Sequence, residues 1–353
     1  LDLAPVDAAP PVDAEADAAL KPDAAPRDAA PPEPDAAPPA AEPILLIALG
    51  DTGKGNAGQH RVAEAAADFC RSRGGCDFAL LNGDNIYESG VDGVDDPQWV
   101  EKFEAPYAAL DLPFYAALGN HDYGAPPILQ DFAAGIGIDP TRGQAQIDYA
   151  ASQDKFRMPA AFYRFQEGAA EIVALDTATL FWRDLPFIEA ITGFAETNLA
   201  QEQTLPQWAA QPLAGWRIAF GHHPYLSNGR HGNAGMYDGV FLEGLIGSGT
   251  GVRDFLEAHV LGQFDVYICG HDHNLQDLGE VEGTTLIVSG AGASTTDLRD
   301  QWLRNEAVWE VDDMGFFALT ITEDSLTIEG LVVPDGGDAA PLWQAAHTRV
   351  LRR

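Results

Sequence analysis

The sequence predicts an α/β protein in which two mixed β-sheets pack together, with helices outside, as one domain. Three observations predict it. Between Ile44 and His271, a short apolar run that ends in glycine and then a polar residue occurs five times. Helical stretches separate several of these runs. Beyond residue 284 the chain becomes strand-rich with tight links, which adds an antiparallel portion to the same core.

Residues 1–43 stand apart. They are mostly Ala, Pro and Asp, and the unit Asp-Ala-Ala-Pro starts at Asp7, Asp23, Asp28 and Asp35. Such a segment has almost nothing to bury, and its prolines block helix and ladder alike. It reads as a disordered or polyproline-like stalk or linker, either a solubilising tail or a spacer from a cell envelope. The chain opens on Leu1 rather than methionine, so a processed N-terminus is expected, with a lipid-anchored precursor as one form of it.

The regular elements begin at Ile44–Leu49, an apolar strand ending in Gly50-Asp51. Residues 61–73 read as a helix with Val62, Ala66, Phe69 and Cys70 on one side. Strands follow at 78–81, ending in Gly83-Asp84, and at 112–118, ending in Gly119-Asn120-His121. A helix is expected near 98–103, strands at 162–165 and 171–175, and loops over 124–155 and 181–203. Trp216–Phe220 ends in Gly221-His222, and Val266–Cys269 ends in Gly270-His271, with a helix over 252–259 between them. Strands at 284–288, 316–322 and 325–333 close the domain, the last two joined by a turn at Glu323-Asp324. The domain is therefore bounded at 44–335, leaving 336–353 as a C-terminal extension. Cys70 and Cys76 are spaced for a small disulfide loop in an oxidising compartment, or are two free thiols; Cys269 reads as a buried small hydrophobe.

Composition limits the function classes. The chain has 353 residues, 54 Asp+Glu against 20 Lys+Arg, and a net charge of -34. A nucleic-acid binder or a protein docking on anionic lipid needs a basic face, so neither partner is expected. No apolar run approaches the roughly 20 residues of a membrane-spanning helix. Ten acids and two bases lie in residues 1–43, so -8 belongs to the stalk and -26 to the rest.

In α/β folds, ligands bind beyond the carboxyl ends of the strands. The polar residues gathered there are Asp51, Asp84, Asn120, His222, His271 and His273, with Tyr87 three residues after Asp84. Carboxylate, amide oxygen, imidazole and one phenol suit Fe, Mn or Zn. Seven donors exceed one octahedral ion but fit two ions sharing a carboxylate. On an extended Gly270-His271-Asp272-His273 segment, alternate residues would turn both imidazoles to one site.

The ordered set Asp51-Thr52-Gly53, Gly83-Asp84-Asn85-Ile86-Tyr87, Gly119-Asn120-His121-Asp122, Gly221-His222 and Gly270-His271-Asp272-His273 resembles the calcineurin-like metallophosphoesterases over residues 44–335. More narrowly it resembles the purple acid phosphatases of the small, tartrate-resistant-like form. Gly53 stands where most of the superfamily carries a metal-binding histidine, and the phenol of Tyr87 supplies the missing donor. A phenolate favours a ferric ion.

The resemblance implies the four-layer αββα sandwich. It implies Fe(III) on Asp51, Tyr87 and His273, and a divalent Fe, Zn or Mn ion on Asn120, His222 and His271, with Asp84 bridging. His223 is read as packing behind the ligands. His121 and His231 are the expected catalytic residues, as proton donor and phosphate contact, with a plain loop histidine the alternative for His231. Beside His231, Arg230 departs from the family pattern, which puts substrate preference and pH optimum in doubt.

The expected reaction is acid hydrolysis of small phosphomonoesters by a metal-bound hydroxide. A phosphodiesterase on the same scaffold and a non-catalytic metal-binding surface protein are the alternatives. Two ions of +3 and +2 outweigh two carboxylates, a phenolate and a hydroxide by about one unit, so the site attracts phosphate although the surface repels it. A secreted, periplasmic or cell-envelope location is expected. The substrate and the oligomeric state are not readable from the residues.

Overall fold

A computed structural model describes residues 42–183, 185–235, 249–335 and 341–353. The stalk reading of residues 1–43 falls almost wholly outside them. Two seven-stranded sheets carry the fold.

The first sheet runs in the order β14-β13-β12-β1-β2-β3-β4: β1 is Ile44–Leu49, β2 Phe78–Asn82, β3 Phe114–Ala117, β4 Phe156–Arg157, β12 Gly315–Ile321, β13 Ser325–Val332 and β14 Gln344–Arg352. The second runs β11-β9-β10-β8-β7-β6-β5: β5 is Tyr163–Glu167, β6 Ala170–Ala174, β7 Trp216–Phe220, β8 Val266–Cys269, β9 Leu275–Val281, β10 Thr284–Ser289 and β11 Trp309–Val311. Strands β1 to β4 are parallel, as are β6, β7, β8 and β10. The antiparallel strands β12, β13 and β14 extend the first sheet, and β9 and β11 extend the second. Two mixed sheets with flanking helices are the expected architecture.

Alternation shows why the sheets stack. Ile172, Ile218, Phe220 and Ile268 join a core shared with Leu46, Phe317 and Ile328 of the first sheet. Their neighbours Val173, Ala219, Tyr267 and Cys269 turn the other way, onto Val252, Phe255 and Leu256. Parallel strands are buried on both faces, so they read as continuous apolar runs.

The first helix, α1 (Ala57–Ser72), starts four residues before its expected bound, because the Asn56 side chain accepts from Gln59 N–H and caps it. A π-helix at Val100–Glu104 stands where a helix is expected near 98–103. The turn at Glu323-Asp324 is closed by Thr322 N–H to Ser325 O. Cys70 and Cys76 are joined as a disulfide, and Cys269 is buried and free.

Two expectations need correction. The stretches 124–155 and 181–203 are not plain loops. They contain α2 (Asn120–Tyr123) at their edge, then α3 (Gln130–Ala133) and α4 (Pro140–Ser152), and later α6 (Pro186–Thr192) and α7 (Phe194–Ala209), with α5 (Thr177–Leu180) before them. The buried stripe of α4 includes Arg142 and Gln146, and that of α7 includes Asn198 and Gln201, so neither shows an apolar period. Residues 344–352, set apart in the C-terminal extension, form β14 and pair along β13. His347 and Arg349 of β14 donate to the buried Asp277 of β9, tying the two sheets. The remaining helix is α8 (Thr250–His259). Among the described residues no helix is long and apolar enough to cross a membrane.

Candidate metal centre

All seven donors expected from sequence come together where the two sheets meet at their strand ends. Five of the seven, all but Tyr87 and His273, follow a glycine, and these glycines are points of close approach. A Cβ on Gly119 would lie 2.2 Å from Asp84 Oδ1, and one on Gly270 would lie 2.5 Å from Asp51 Oδ2. Asp51, Asp84 and His271 hold positive φ, of 56°, 53° and 73°. Non-glycine residues in that region carry backbone strain that clusters at functional sites. It also corrects one expectation: His271 is not on an extended segment. The turn at His271 sends its ring and that of His273 to different halves of the site.

In one half, the Tyr87 hydroxyl lies 3.0 Å from Asp51 Oδ1, 2.8 Å from Asp84 Oδ2 and 3.0 Å from His273 Nε2. Ser294 Oγ holds His273 Nδ1 at 3.0 Å. In the other half, His222 Nε2 lies 3.0 Å from Asn120 Oδ1, 3.1 Å from His271 Nδ1 and 3.4 Å from Asp84 Oδ1. Asn120 Nδ2 donates to Gly135 O at 2.7 Å, which turns its oxygen inward. His222 Nδ1 sits 2.9 Å from the carbonyl of Asn82, so its Nε2 lone pair faces the cluster. Each oxygen of Asp84 thus faces one half.

These contacts fit cations better than protons. One phenolic hydrogen serves two carboxylate oxygens around Tyr87, with a ring nitrogen of His273 at the same oxygen. Lone pairs of Asn120, His222, His271 and Asp84 converge with few hydrogens between them. Asp51, Asp84 and His222 alone form a group able to hold an ion, and all three are buried. Two buried carboxylates demand compensating charge.

The electrostatics agree. Burial, then Asp51 and Asp84, push the Tyr87 phenol well above its ordinary value, a shift that a cation would reverse. Burial opposes ionisation of Asp84, yet His222, His121 and hydrogen bonds from His121 and Tyr87 hold its carboxyl well below the usual range. Burial and then the surrounding histidines hold His271 well below the ordinary imidazole value.

The two expected catalytic histidines take opposite sides. The His121 ring lies 4.3 Å from that of Tyr87, and its Nδ1 is 2.6 Å from Glu88 O. The His231 ring lies 4.2 Å from that of His271, and burial lowers its pKa. His223 stays out of the donor cluster, with Nδ1 3.1 Å from Thr177 Oγ1.

Several supporting residues escaped the sequence reading. Asn82, Thr177, Ser294 and Gly135 act across wide gaps in the chain and belong to no strand-end motif. Lys54 Nζ sits 4.5 Å from the centre of the Tyr87 ring. Asp122 accepts from Gly119 N–H, Ile86 N–H and Gln146, and burial followed by Asp84 pushes its carboxyl to about 6. Asp272 accepts from Ser227 Oγ and from His231 N–H at 2.7 Å, which pins the His231 loop. Only Asp122 and Asp272 had a signal in the sequence, as acids inside the motifs.

Residues 44–275 match the calcineurin-like phosphoesterase family. The chain is 29% identical to pig (Sus scrofa) tartrate-resistant acid phosphatase type 5 over 273 residues, 72% of this chain and 71% of that protein. Among solved structures, GAP50, the anchor in the inner membrane complex of Plasmodium, superposes with a TM-score of 0.64 at 20% identity, covering 88% of this chain and 89% of that one. Purple acid phosphatase PPD1 from yellow lupin (Lupinus luteus) seeds gives 0.60 at 19% identity, covering 89% and 54%.

Proposed function

From the premise that the chain belongs to the calcineurin-like phosphoesterase family and is a homologue of the purple acid phosphatases, we propose that it is a dinuclear acid phosphatase acting on small phosphomonoesters. The observation that carries this reading is the placement of Asp84, whose two oxygens face two separate donor sets.

Asp51, Tyr87 and His273 would hold Fe(III), and Asn120, His222 and His271 a divalent Fe, Zn or Mn ion, with Asp84 shared. Such ions supply charge for phosphate oxygens and lower the pKa of a coordinated water. The chain's own residues do the rest. Ser294, Asn82 and Gly135 hold His273, His222 and Asn120 in their donor orientations. His121 has its Nδ1 fixed on the Glu88 carbonyl, so proton exchange runs through Nε2. His231 is held beside His271 by its backbone bond to Asp272. One of the two protonates the leaving oxygen and the other holds a phosphate oxygen.

The disulfide supports a secreted, periplasmic or cell-envelope location. The charge of -26 over residues 44–353 argues against nucleic acid and anionic membranes as partners. The test is hydrolysis of 4-nitrophenyl phosphate against bis(4-nitrophenyl) phosphate near pH 5. Faster turnover of the monoester is expected. Faster turnover of the diester, or of neither, contradicts the reading.

A further inference from the structure

Beside the Asn120–His271 half of the site lies a cavity of about 230 Å³. Ile136, Phe181 and Trp182 give it apolar walls, and His223 lines it with Asn120 and His271. His223 is only 1% exposed and plays no part in the donor cluster. Its ring stacks on Phe181 at 5.3 Å and 17°.

The hydrogens around Thr177 decide which nitrogen of His223 carries the proton. Thr177 Oγ1 accepts from the backbone N–H of His222 at 3.1 Å and from that of His223 at 2.9 Å. A hydroxyl has two lone pairs and one hydrogen, so both lone pairs are taken. Its hydrogen must therefore go to His223 Nδ1, 3.1 Å away. Nδ1 is then an acceptor, and the ring hydrogen is on Nε2. Nδ1 faces Thr177, whereas Cδ2, the ring atom bonded to Nε2, faces Gly235, another residue of the cavity wall. Among the described residues no hydrogen-bond partner takes Nε2.

We infer that this cavity holds the organic part of the substrate, and that His223 anchors it by donating from Nε2–H to an acceptor on a planar, apolar leaving group. The inference rests on the phosphoesterase reading of the site, and it adds a substrate class: phosphate esters of flat alcohols that carry a carbonyl or similar acceptor. Phe181, Trp182 and Ile136 cover the plane. A buried N–H donor penalises a group that leaves it unpaired.

The test uses non-hydrolysable probes on the metal-loaded protein, so it does not depend on turnover. Calorimetry compares benzylphosphonate with the best-binding of its three acetyl isomers. The wild type should bind the acetyl probe about tenfold more tightly, the effect of one added hydrogen bond. In His223→Phe, which keeps the stack on Phe181 but has no donor, the ratio should fall to about one. No preference in the wild type overturns the inference, and so does a preference retained in the variant. If His223→Phe fails to fold, Ile136→Trp fills the cavity instead. It should weaken both aryl probes at least tenfold relative to inorganic phosphate, and equal binding overturns the inference. Preference without hydrolysis of 4-nitrophenyl phosphate would leave the cavity assignment standing and the phosphatase reading refuted; hydrolysis without preference would do the reverse.

Discussion

The two sheets bring different chemistry to the same point. Asp51, Asp84, Tyr87 and Asn120 follow strands β1, β2 and β3 of the first sheet, and every one offers oxygen. His222, His271 and His273 follow β7 and β8 of the second, and every one offers nitrogen. Neither sheet holds a complete donor set for either half. The oxygen side concentrates negative charge that would repel itself, and the nitrogen side needs orienting partners. The contrast teaches that the site is a property of sheet packing. His271 N–H on Asp51 Oδ2 and His222 Nδ1 on the Asn82 carbonyl are the bonds that hold the halves in register.

The strongest way to break this picture is at the residue common to both halves. Asp84→Ala should lower kcat/KM by roughly 10³ or more, and metal analysis should show loss of the second ion as well as the first. Retention of two ions would mean that the halves do not share Asp84.

A smaller effect sharpens the division of labour across the sheets. His121→Ala and His231→Ala should each cost about 10²–10³ in kcat. The variant that lacks the proton donor should lose less on 4-nitrophenyl phosphate than on an alkyl phosphate, because nitrophenolate leaves without help. Equal losses on both substrates for both variants would remove the proton-donor role.

The next test concerns a bond between the sheets. Tyr123, after β3, donates to the buried Asp176 after β6 at 2.6 Å. Burial raises the Asp176 carboxyl from 3.8 to about 6, against the hydrogen bonds it receives. A carboxyl whose folded pKa is raised makes the folded state hold its proton longer than the unfolded chain does. Stability therefore falls as pH rises from about 4 to 6, by about 3 kcal/mol from this group. Asp176→Asn should flatten that slope in denaturant titrations. An unchanged slope would show that Asp176 does not cause it.

The smallest effect is on the first sheet alone. The Cys70–Cys76 bridge closes a loop of sequence separation 6, at the end of β2 away from the site. Cys70→Ser should cost about 2 kcal/mol of stability by the loop-entropy relation. Metal content and activity of the folded fraction should not change. A loss of metal would mean that the site depends on more than the strand ends.

The sequence exposed these oxygen- and nitrogen-bearing residues because each sits within about five residues of the end of an apolar strand. β1, β7 and β8 were readable to the residue for the same reason. Elements with polar burial were not. Gln276 and Asp277 of β9 are buried because Asn228, His347 and Arg349 bind them, and no periodicity announces such a strand. The tethers from Asn82, Thr177 and Gly135 span 15 to 140 positions, and the positive φ of His271 accompanies an N–H bond to Asp51, 220 positions away. The His223 proton, which gives the cavity its polarity, follows from three hydrogen bonds to one hydroxyl.

The proposed function puts a ferric–phenolate site in one half of the centre and a separate divalent site in the other. Metal analysis of the purified protein, with visible spectra of the wild type and Tyr87→Phe, tests it most directly. Two metal equivalents including one iron, a purple or pink band lost on dithionite reduction, and no such band in Tyr87→Phe are expected. A colourless zinc-only protein, or a visible band that survives in Tyr87→Phe, would contradict it.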